Sequence, residues 1–428
     1  MGAWLGPWPS LGGPFGAPSV QSIRRGFARL YAMLRVAVIG TGFVGPFHVD
    51  AVRRGGYGEV TLIAGSDAGR AAERARALGV HRSTANVADV FGDPAIDVVH
   101  VCTPNVSHVD LTERALAAGK HVVVEKPVAM DLDGAHRSLR AARASGRHAM
   151  VAFTYRGYPM VRRARAIVAA GAGELGALRL ARGQYIQDWL SDPGAYNWRV
   201  DPAIGGTSRA VADIGSHWFD TTEFVSGQRV EAVFADLATF IPIRRRSAGS
   251  GALAFGGSSA DGEEVAIASE DAATILVRMI GGARGACVLS QVSTGWKNGF
   301  EVALDGERAS LVWAQEDPER LWVRTKDAAR TMQRAAGDTA GADAAGTGAV
   351  PGVPSLPAGH PEGYAEAFRD LFRPFYRAIV EGDPPRYAAS DPGDEAPYPT
   401  LGDGLRAVAF VEAALRSSRE GRWVDLPD

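Results

Sequence analysis

From Leu34 onward, short uninterrupted apolar runs alternate with segments whose apolar residues recur at helical spacing. Leu34–Ile39, Glu59–Ala64, Asp97–Thr103, His121–Glu125 and His148–Phe153 read as strands. Helices are predicted over Pro46–Arg54, Ala68–Leu78, Ser107–Ala118 and Asp131–Ser145. Strands that are apolar on both faces, each followed by a helix, imply a parallel sheet covered on both sides. Beyond Phe153 the period changes. A helix over Met160–Ala170 leads into alternating segments at Leu178–Ile186, Val230–Ile241, Glu264–Ile280, Gly285–Val292, Gly299–Asp305 and Ala309–Trp313. Helices over Ala365–Ile379 and Gly404–Arg419 close the chain. Alternation marks strands with one packed face. The expected fold is α/β: a doubly wound parallel sheet over 33–154, then an α+β domain over 155–428 with a large, mostly antiparallel open sheet.

Composition narrows the function classes. A formal net charge of -2 and a pI near 6.5 give no electrostatic case for nucleic acid or an anionic membrane. Charge and glycine interrupt every apolar stretch well before membrane-spanning length. The two cysteines, Cys102 and Cys287, lie in apolar runs and read as small buried hydrophobes, which fits a reducing cytoplasm. No Cys/His cluster has zinc spacing, so no metal is expected, and His48, His108 and His121 read as turn, helix and strand-end residues.

Residues 1–32 lack periodicity. Ser22–Phe27 faintly resembles a twin-arginine signal, but Tyr31–Ile39 runs straight into the first strand. A disordered extension preceding a natural start at Met33 is expected, without export. Ser247–Gly262 and Ala335–Ala358 are rich in small residues and are expected to be disordered surface loops rather than a flap near the substrate.

Between the first strand and helix stands Gly40-Thr-Gly-Phe-Val-Gly45. Gly40 permits a tight turn, Gly42 a close backbone approach to a pyrophosphate, and Gly45 close helix packing. Amides at the helix start, among them those of Phe43 and Val44, can bind phosphate oxygens. This points to a dinucleotide. The second strand ends in Ala64-Gly65-Ser66-Asp67 rather than in the acidic residue usual for NAD. Ser66 and Arg70 suit a 2′-phosphate, while Asp67 either reaches the ribose or caps the next helix. The reading leans toward NADP over NAD.

All but four of the 46 basic residues are arginine. One of the four lysines, Lys126, follows the fourth strand in Glu125-Lys126-Pro127. An ammonium is a compact charge whose pKa a site can shift, which guanidinium is not. Further along, Asp213 and His217 are four residues apart, so on a helix they share a face, with Asp220 one turn beyond. A carboxylate beside an imidazole can raise its pKa for proton transfer near neutrality.

Together the glycine turn with His48, Thr103-Pro104-Asn105 with His108, the run from Ala118 to Pro127, and Asp213-Ile-Gly215-Ser-His217-Trp-Phe-Asp220 resemble the Gfo/Idh/MocA oxidoreductases, from about Met33 to the end of the chain. The resemblance implies a Rossmann domain and reversible oxidation of a secondary alcohol. In it His217 would be the acid/base, Lys126 would hold the reacting oxygen, and Asp213 would position the substrate and these two cationic groups. Cofactor contacts would extend to Thr103, Pro104, Asn105, Glu125 and Lys126. The family's open sheet commonly mediates dimer or tetramer contacts, so a homo-oligomer is expected.

For substrate, Tyr155, Arg156, Trp189, Asn197, Trp198 and Arg199 offer aromatic faces and multidentate donors suited to a hydroxylated ring. The Asn197-Trp198-Arg199 segment resembles the branch of inositol and anhydrosugar dehydrogenases. A sugar or cyclitol is expected. Two alternatives share the fold: an enzyme that uses bound dinucleotide transiently, as sugar oxidoreductase couples or glycosidases do, and a dinucleotide-binding regulator. Lys126, Asp213 and His217 together argue against the regulator.

Overall fold

The computed structural model describes residues 33–169, 175–246, 261–334, 356–357, 359–387 and 396–427. The expected extension and most of both expected loops lie outside the described residues. Six strands, β1 (Leu34–Ile39), β2 (Gly58–Ala64), β3 (Arg82–Thr84), β4 (Val98–Val101), β5 (His121–Val124) and β6 (Ala149–Val151), form one sheet in the order β3-β2-β1-β4-β5-β6. All its pairs are parallel. The strand order reverses between β1 and β4, and a crevice opens there at the carboxyl ends. Helices α1 (Gly45–Gly55), α2 (Ala68–Ala77), α3 (Val87–Phe91), α4 (His108–Ala117) and α5 (Leu132–Ser145) connect the strands. Pattern reading misses β3 and α3. Both are short, and β3 is a largely exposed edge strand without an apolar run.

After α6 (Pro159–Ala169) comes a second sheet. Its nine strands are β7 (Leu178–Ile186), β8 (Val230–Ala238), β11 (Ala272–Met279), β12 (Arg284–Ser290), β13 (Gly299–Gly306), β14 (Ala309–Ala314), β15 (Arg320–Thr325), β16 (Ala329–Gln333) and β17 (Val424–Asp425). The order is β16-β15-β14-β13-β7-β12-β11-β8-β17. Only β7 and β12 pair in parallel; the other pairs are antiparallel. One face is buried under α7 (Ser216–Ser226) and α9 (Leu401–Glu420), where Trp218, Phe219 and Phe410 join the core. The other face exposes Leu180, Leu276 and Val288.

The segment expected as one strand over Glu264–Ile280 is two. β10 (Glu263–Ala266) pairs with β9 (Ile243–Arg246) in a separate hairpin. The chain breaks before β11 because buried Asp271 pairs with buried Arg209 and Arg244, and Glu270 accepts from Ser208. A further helix, α8 (Tyr364–Glu381), lies on the first sheet rather than the second: Phe368, Leu371, Phe372, Phe375 and Tyr376 pack with Val36, Val38, Val49 and Val52. A parallel sheet must be covered on both faces, and here the last quarter of the chain supplies part of that cover.

Candidate active site

A cavity of about 720 Å³ opens where the carboxyl ends of β1, β4 and β5 meet β7 and the Val211–Gly215 turn that leads into α7. The glycine turn forms one wall. Gly40 has φ +128°, and a Cβ there would lie 2.2 Å from the Cys102 carbonyl oxygen, so only glycine fits. A Cβ on Gly42 would meet nothing within 4 Å, which leaves room on the cavity side. Val44 provides no side-chain cap and the first turn of α1 holds no acid. No capping side chain or carboxylate therefore competes with an anionic oxygen for this helix start. These features fit a pyrophosphate.

At the end of β2, Gly65, Ser66 and Arg70 line the cavity. The Asp67 carboxylate caps α2, accepting from the Arg70 amide at 2.8 Å. Across the crevice, Thr103, Pro104 and Asn105 also line it. Asn105 Nδ2 donates to the Gly205 carbonyl at 2.8 Å and so joins the β4 loop to the chain leading to Asp213. His108, a helix residue as expected, sits between two carbonyls, with Nδ1 2.7 Å from Pro127 O and Nε2 2.8 Å from Thr103 O. It ties the loops after β4 and β5 together.

Glu125 and Lys126 reach the cavity from the end of β5. Lys126 Nζ donates to Asp213 Oδ1 at 2.7 Å and to the Asp213 carbonyl at 2.8 Å. Gln291 Nε2 donates to Asp213 Oδ2 at 2.8 Å, and Arg199 Nε lies 3.6 Å from Oδ1. Burial disfavours the Asp213 carboxylate, but Lys126 and Arg199 outweigh it and hold the carboxyl well below its usual range.

His217 lines the same cavity, 8% exposed. Burial, reinforced by Lys126, pushes its pKa well below the usual imidazole value, and Asp213 opposes this only in part. This corrects the expectation of a raised pKa. The reason is that burial outweighs the Asp213 charge, whose carboxylate bonds Lys126 and Gln291; Val211–Gly215 itself is a π-helical turn rather than α-helix. The lowered pKa favours a neutral ring, whose buried Nδ1 has no partner among the described residues.

The six residues expected at the substrate divide. Trp189, Trp198 and Arg199 line the cavity, with the Arg199 guanidinium 4.4 Å from the Trp198 ring centre and 5.8 Å from that of Trp189. Tyr155 lies behind it. Its hydroxyl bonds Tyr185 and its ring meets His217 edge-on at 4.9 Å, so it braces the imidazole. Arg156 is not at the cavity: it forms a bidentate pair with Asp220 and reaches Asp403 at 3.0 Å. That pairing also makes Asp220 structural. Asn197 is fully buried and caps the following turn through Arg199 N at 2.7 Å.

Sequence reading missed Tyr185, Gln187, Gln291 and Tyr364. Tyr185, Gln187 and Trp189 all line the cavity, and their spacing of two along an extended segment was a readable signal. Gln187 bonds both Asn298 and Trp189. Nothing in the sequence distinguishes Gln291.

A family model described as "Oxidoreductase family, NAD-binding Rossmann fold" matches residues 34–153, and a GFO/IDH/MocA C-terminal domain model matches 161–312. Levoglucosan dehydrogenase of Pseudarthrobacter phenanthrenivorans is 30% identical over 410 residues, 92% of this chain and 98% of that protein. Inositol 2-dehydrogenase of Rhizobium meliloti is 30% identical over 210 residues, 49% of this chain and 59% of its own length. A levoglucosan dehydrogenase structure in complex with NADH and levoglucosan superposes with TM-score 0.78 at 27% identity, covering 92% of this chain and 100% of that one. An inositol dehydrogenase homolog from Azotobacter vinelandii, complexed with NADH and myo-inositol, gives 0.73 at 28% identity, covering 93% and 98%.

Proposed function

The chain belongs to the Gfo/Idh/MocA oxidoreductase family, and we propose that it oxidises a secondary hydroxyl of a pyranose, anhydropyranose or cyclitol ring with a nicotinamide dinucleotide. One observation carries the reading: Lys126, Asp213 and His217 meet in a single cavity with the glycine turn. When bound, the nicotinamide supplies a hydride acceptor. The protein's own part is proton handling and placement. Neutral His217 accepts the hydroxyl proton. Lys126, held by Asp213, donates to the reacting oxygen and stabilises charge as it develops there. Trp189, Trp198, Gln187 and Arg199 offer the ring an aromatic wall beside amide and guanidinium donors.

Two finer assignments belong to the same proposal. Because Asp67 is engaged as a cap while Ser66 and Arg70 face the cavity, we favour acceptance of NADP beside NAD. Apolar Leu180, Leu276 and Val288 on the uncovered sheet face suit a homo-oligomer formed through that face.

The test is absorbance of the reduced nicotinamide with NAD and NADP against levoglucosan, glucose, xylose and myo-inositol. Turnover of at least one polyol is expected. No turnover with any of them, together with wild-type cofactor affinity in Lys126→Ala, would sink the proposal.

A further inference from the structure

Glu125 is anchored by a buried chain of polar groups that hydride transfer does not use. Its Oε1 lies 2.9 Å from His48 Nε2, His48 Nδ1 lies 2.9 Å from His100 Nδ1, and His100 Nε2 lies 2.7 Å from the Tyr376 hydroxyl. Both imidazoles are 0% exposed and Tyr376 3%. Phe372 packs edge-on against both rings, at 4.9 and 5.0 Å, and Phe368 lies tilted against His48 at 5.2 Å. The chain joins α1, β4, the end of β5 and α8.

Hydrogen-bond chemistry gives this chain a direction. An ionised carboxylate only accepts, so His48 donates from Nε2. A neutral His48 then accepts at Nδ1, which requires His100 to donate from its own Nδ1. A neutral His100 accepts at Nε2, which requires the Tyr376 O–H to donate. Every polar atom is then satisfied. The reverse order, with neutral rings, puts the His48 proton on Nδ1, sets its bare Nε2 against the Glu125 carboxylate, and turns His100 Nε2–H toward Tyr376, whose own hydrogen then finds no acceptor among the described residues. Unsatisfied buried groups are costly, so the first order prevails. Burial lowers the His100 pKa and raises that of Tyr376, in keeping with a neutral ring and an intact phenol.

We propose that His48 is a positioning residue for Glu125 at the cofactor cavity, and that His100 and Tyr376 act at a distance by locking His48 in the tautomer that donates to it. Glu125 lines the cavity beside Lys126, and its Oε2 accepts from the Lys126 amide at 3.3 Å. The placement of the segment carrying Lys126 thus depends on a hydroxyl on α8. The same helix presents Tyr364 to the cavity. The assignment rests on the dinucleotide reading only for what Glu125 positions; the tautomer lock stands apart from it.

The experiment has two independent arms. In protein labelled with ¹⁵N-histidine, two-bond proton–nitrogen spectra assigned with His48→Gln and His100→Phe report the tautomers. Expected are a neutral Nε2–H ring for His48 and a neutral Nδ1–H ring for His100. A charged His48, or both rings as Nε2–H, would overturn the lock whatever the protein binds. In the second arm, NADH and NADPH affinity is read by fluorescence, with kcat and KM alongside and the melting temperature as a folding control. Tyr376→Phe, which releases His48 from donating to the Glu125 carboxylate, should weaken the affinity for the bound dinucleotide by about tenfold, the order of one hydrogen bond to a charged group, with kcat within about threefold of wild type. His48→Gln, which keeps a donor for Glu125, should retain affinity that His48→Phe loses.

A Glu125→Gln background separates the lock from mere packing. An amide satisfies either tautomer by flipping, so Tyr376→Phe should there add less than about twofold. An equal penalty in both backgrounds would show that Tyr376 only packs, and would refute the proposal. If neither dinucleotide binds the wild type, the enzyme reading fails while the spectra still decide the lock.

Discussion

Replacing Lys126 by Met removes the ammonium and keeps most of the side-chain length. The Lys126 and Asp213 side chains are 13% and 21% exposed, so the pair is shielded and does not fall in the class of surface pairs worth about 0–1 kcal/mol. Breaking a buried pair costs about 3–5 kcal/mol. Asp213 retains Gln291 at 2.8 Å and Arg199 at 3.6 Å, which places the loss of folding stability at the lower end, about 3 kcal/mol. The effect on turnover is separate. With Lys126 in its proposed role at the reacting oxygen, its loss should lower kcat/KM by about 10²–10⁴, or roughly 3–5 kcal/mol in the barrier. Lys126, after burial, also depresses the His217 pKa, so its removal should move the acid limb of the kcat/KM profile to higher pH. Stopped-flow and steady-state absorbance from pH 5 to 9, with chemical denaturation alongside, measure all three. Lys126→Arg should recover the stability and not the rate, because guanidinium restores the pair but cannot replace a compact ammonium at the oxygen. Lys126→Met with kcat/KM within threefold of wild type and an unmoved acid limb would refute the reasoning.

Gln291→Leu takes one donor from Asp213 while leaving Lys126 in place, and should lower kcat/KM by about tenfold, one charge-assisted hydrogen bond; steady-state kinetics with wild-type cofactor affinity would confirm it, and an unchanged kcat/KM would contradict it. Arg156→Met leaves the buried Asp220 and Asp403 without their common partner and should cost about 3–5 kcal/mol of stability, seen in urea melts, while the folded fraction keeps its substrate KM. Folding stability should also fall on acidification: burial lowers the pKa values of His100, His108, His148 and His217, and that of His121 to about 3. Groups depressed in the folded state contribute fully above the unfolded value of about 6.5 and lose that contribution as pH falls toward the folded value, by up to about 1.4 kcal/mol per unit for each histidine. Urea midpoints that rise between pH 7.5 and 5.5 would contradict this. Paired Leu276→Asp and Val288→Asp should shift the sedimentation mass toward monomer if the exposed sheet face joins subunits, and an unchanged mass would place any contact elsewhere.

What the sequence determined by itself was whatever local chemistry encodes. Continuous Val and Ile runs require a covered parallel sheet, the glycines of the first turn require a close backbone approach, and alternation after Phe153 requires a sheet with one packed face. Lys126, Asp213 and His217 were legible because residue type and order survive without coordinates. Tyr185 and Gln187 were legible in principle, from their spacing with Trp189. Other assignments depended on partners more than fifty residues away. Arg156 looked like a substrate ligand until Asp220 and Asp403 claimed it. Asp213 looked like the partner of His217 until a π-helical turn and Gln291 directed its carboxylate to Lys126. The histidine pair His48 and His100, fifty-two residues apart, becomes a directed chain only once α8 returns from the end of the sequence with Tyr376. A side chain's hydrogen-bonding capacity is written in its residue type. Which partner uses it, and whether burial leaves it charged, is settled only when the chain closes on itself.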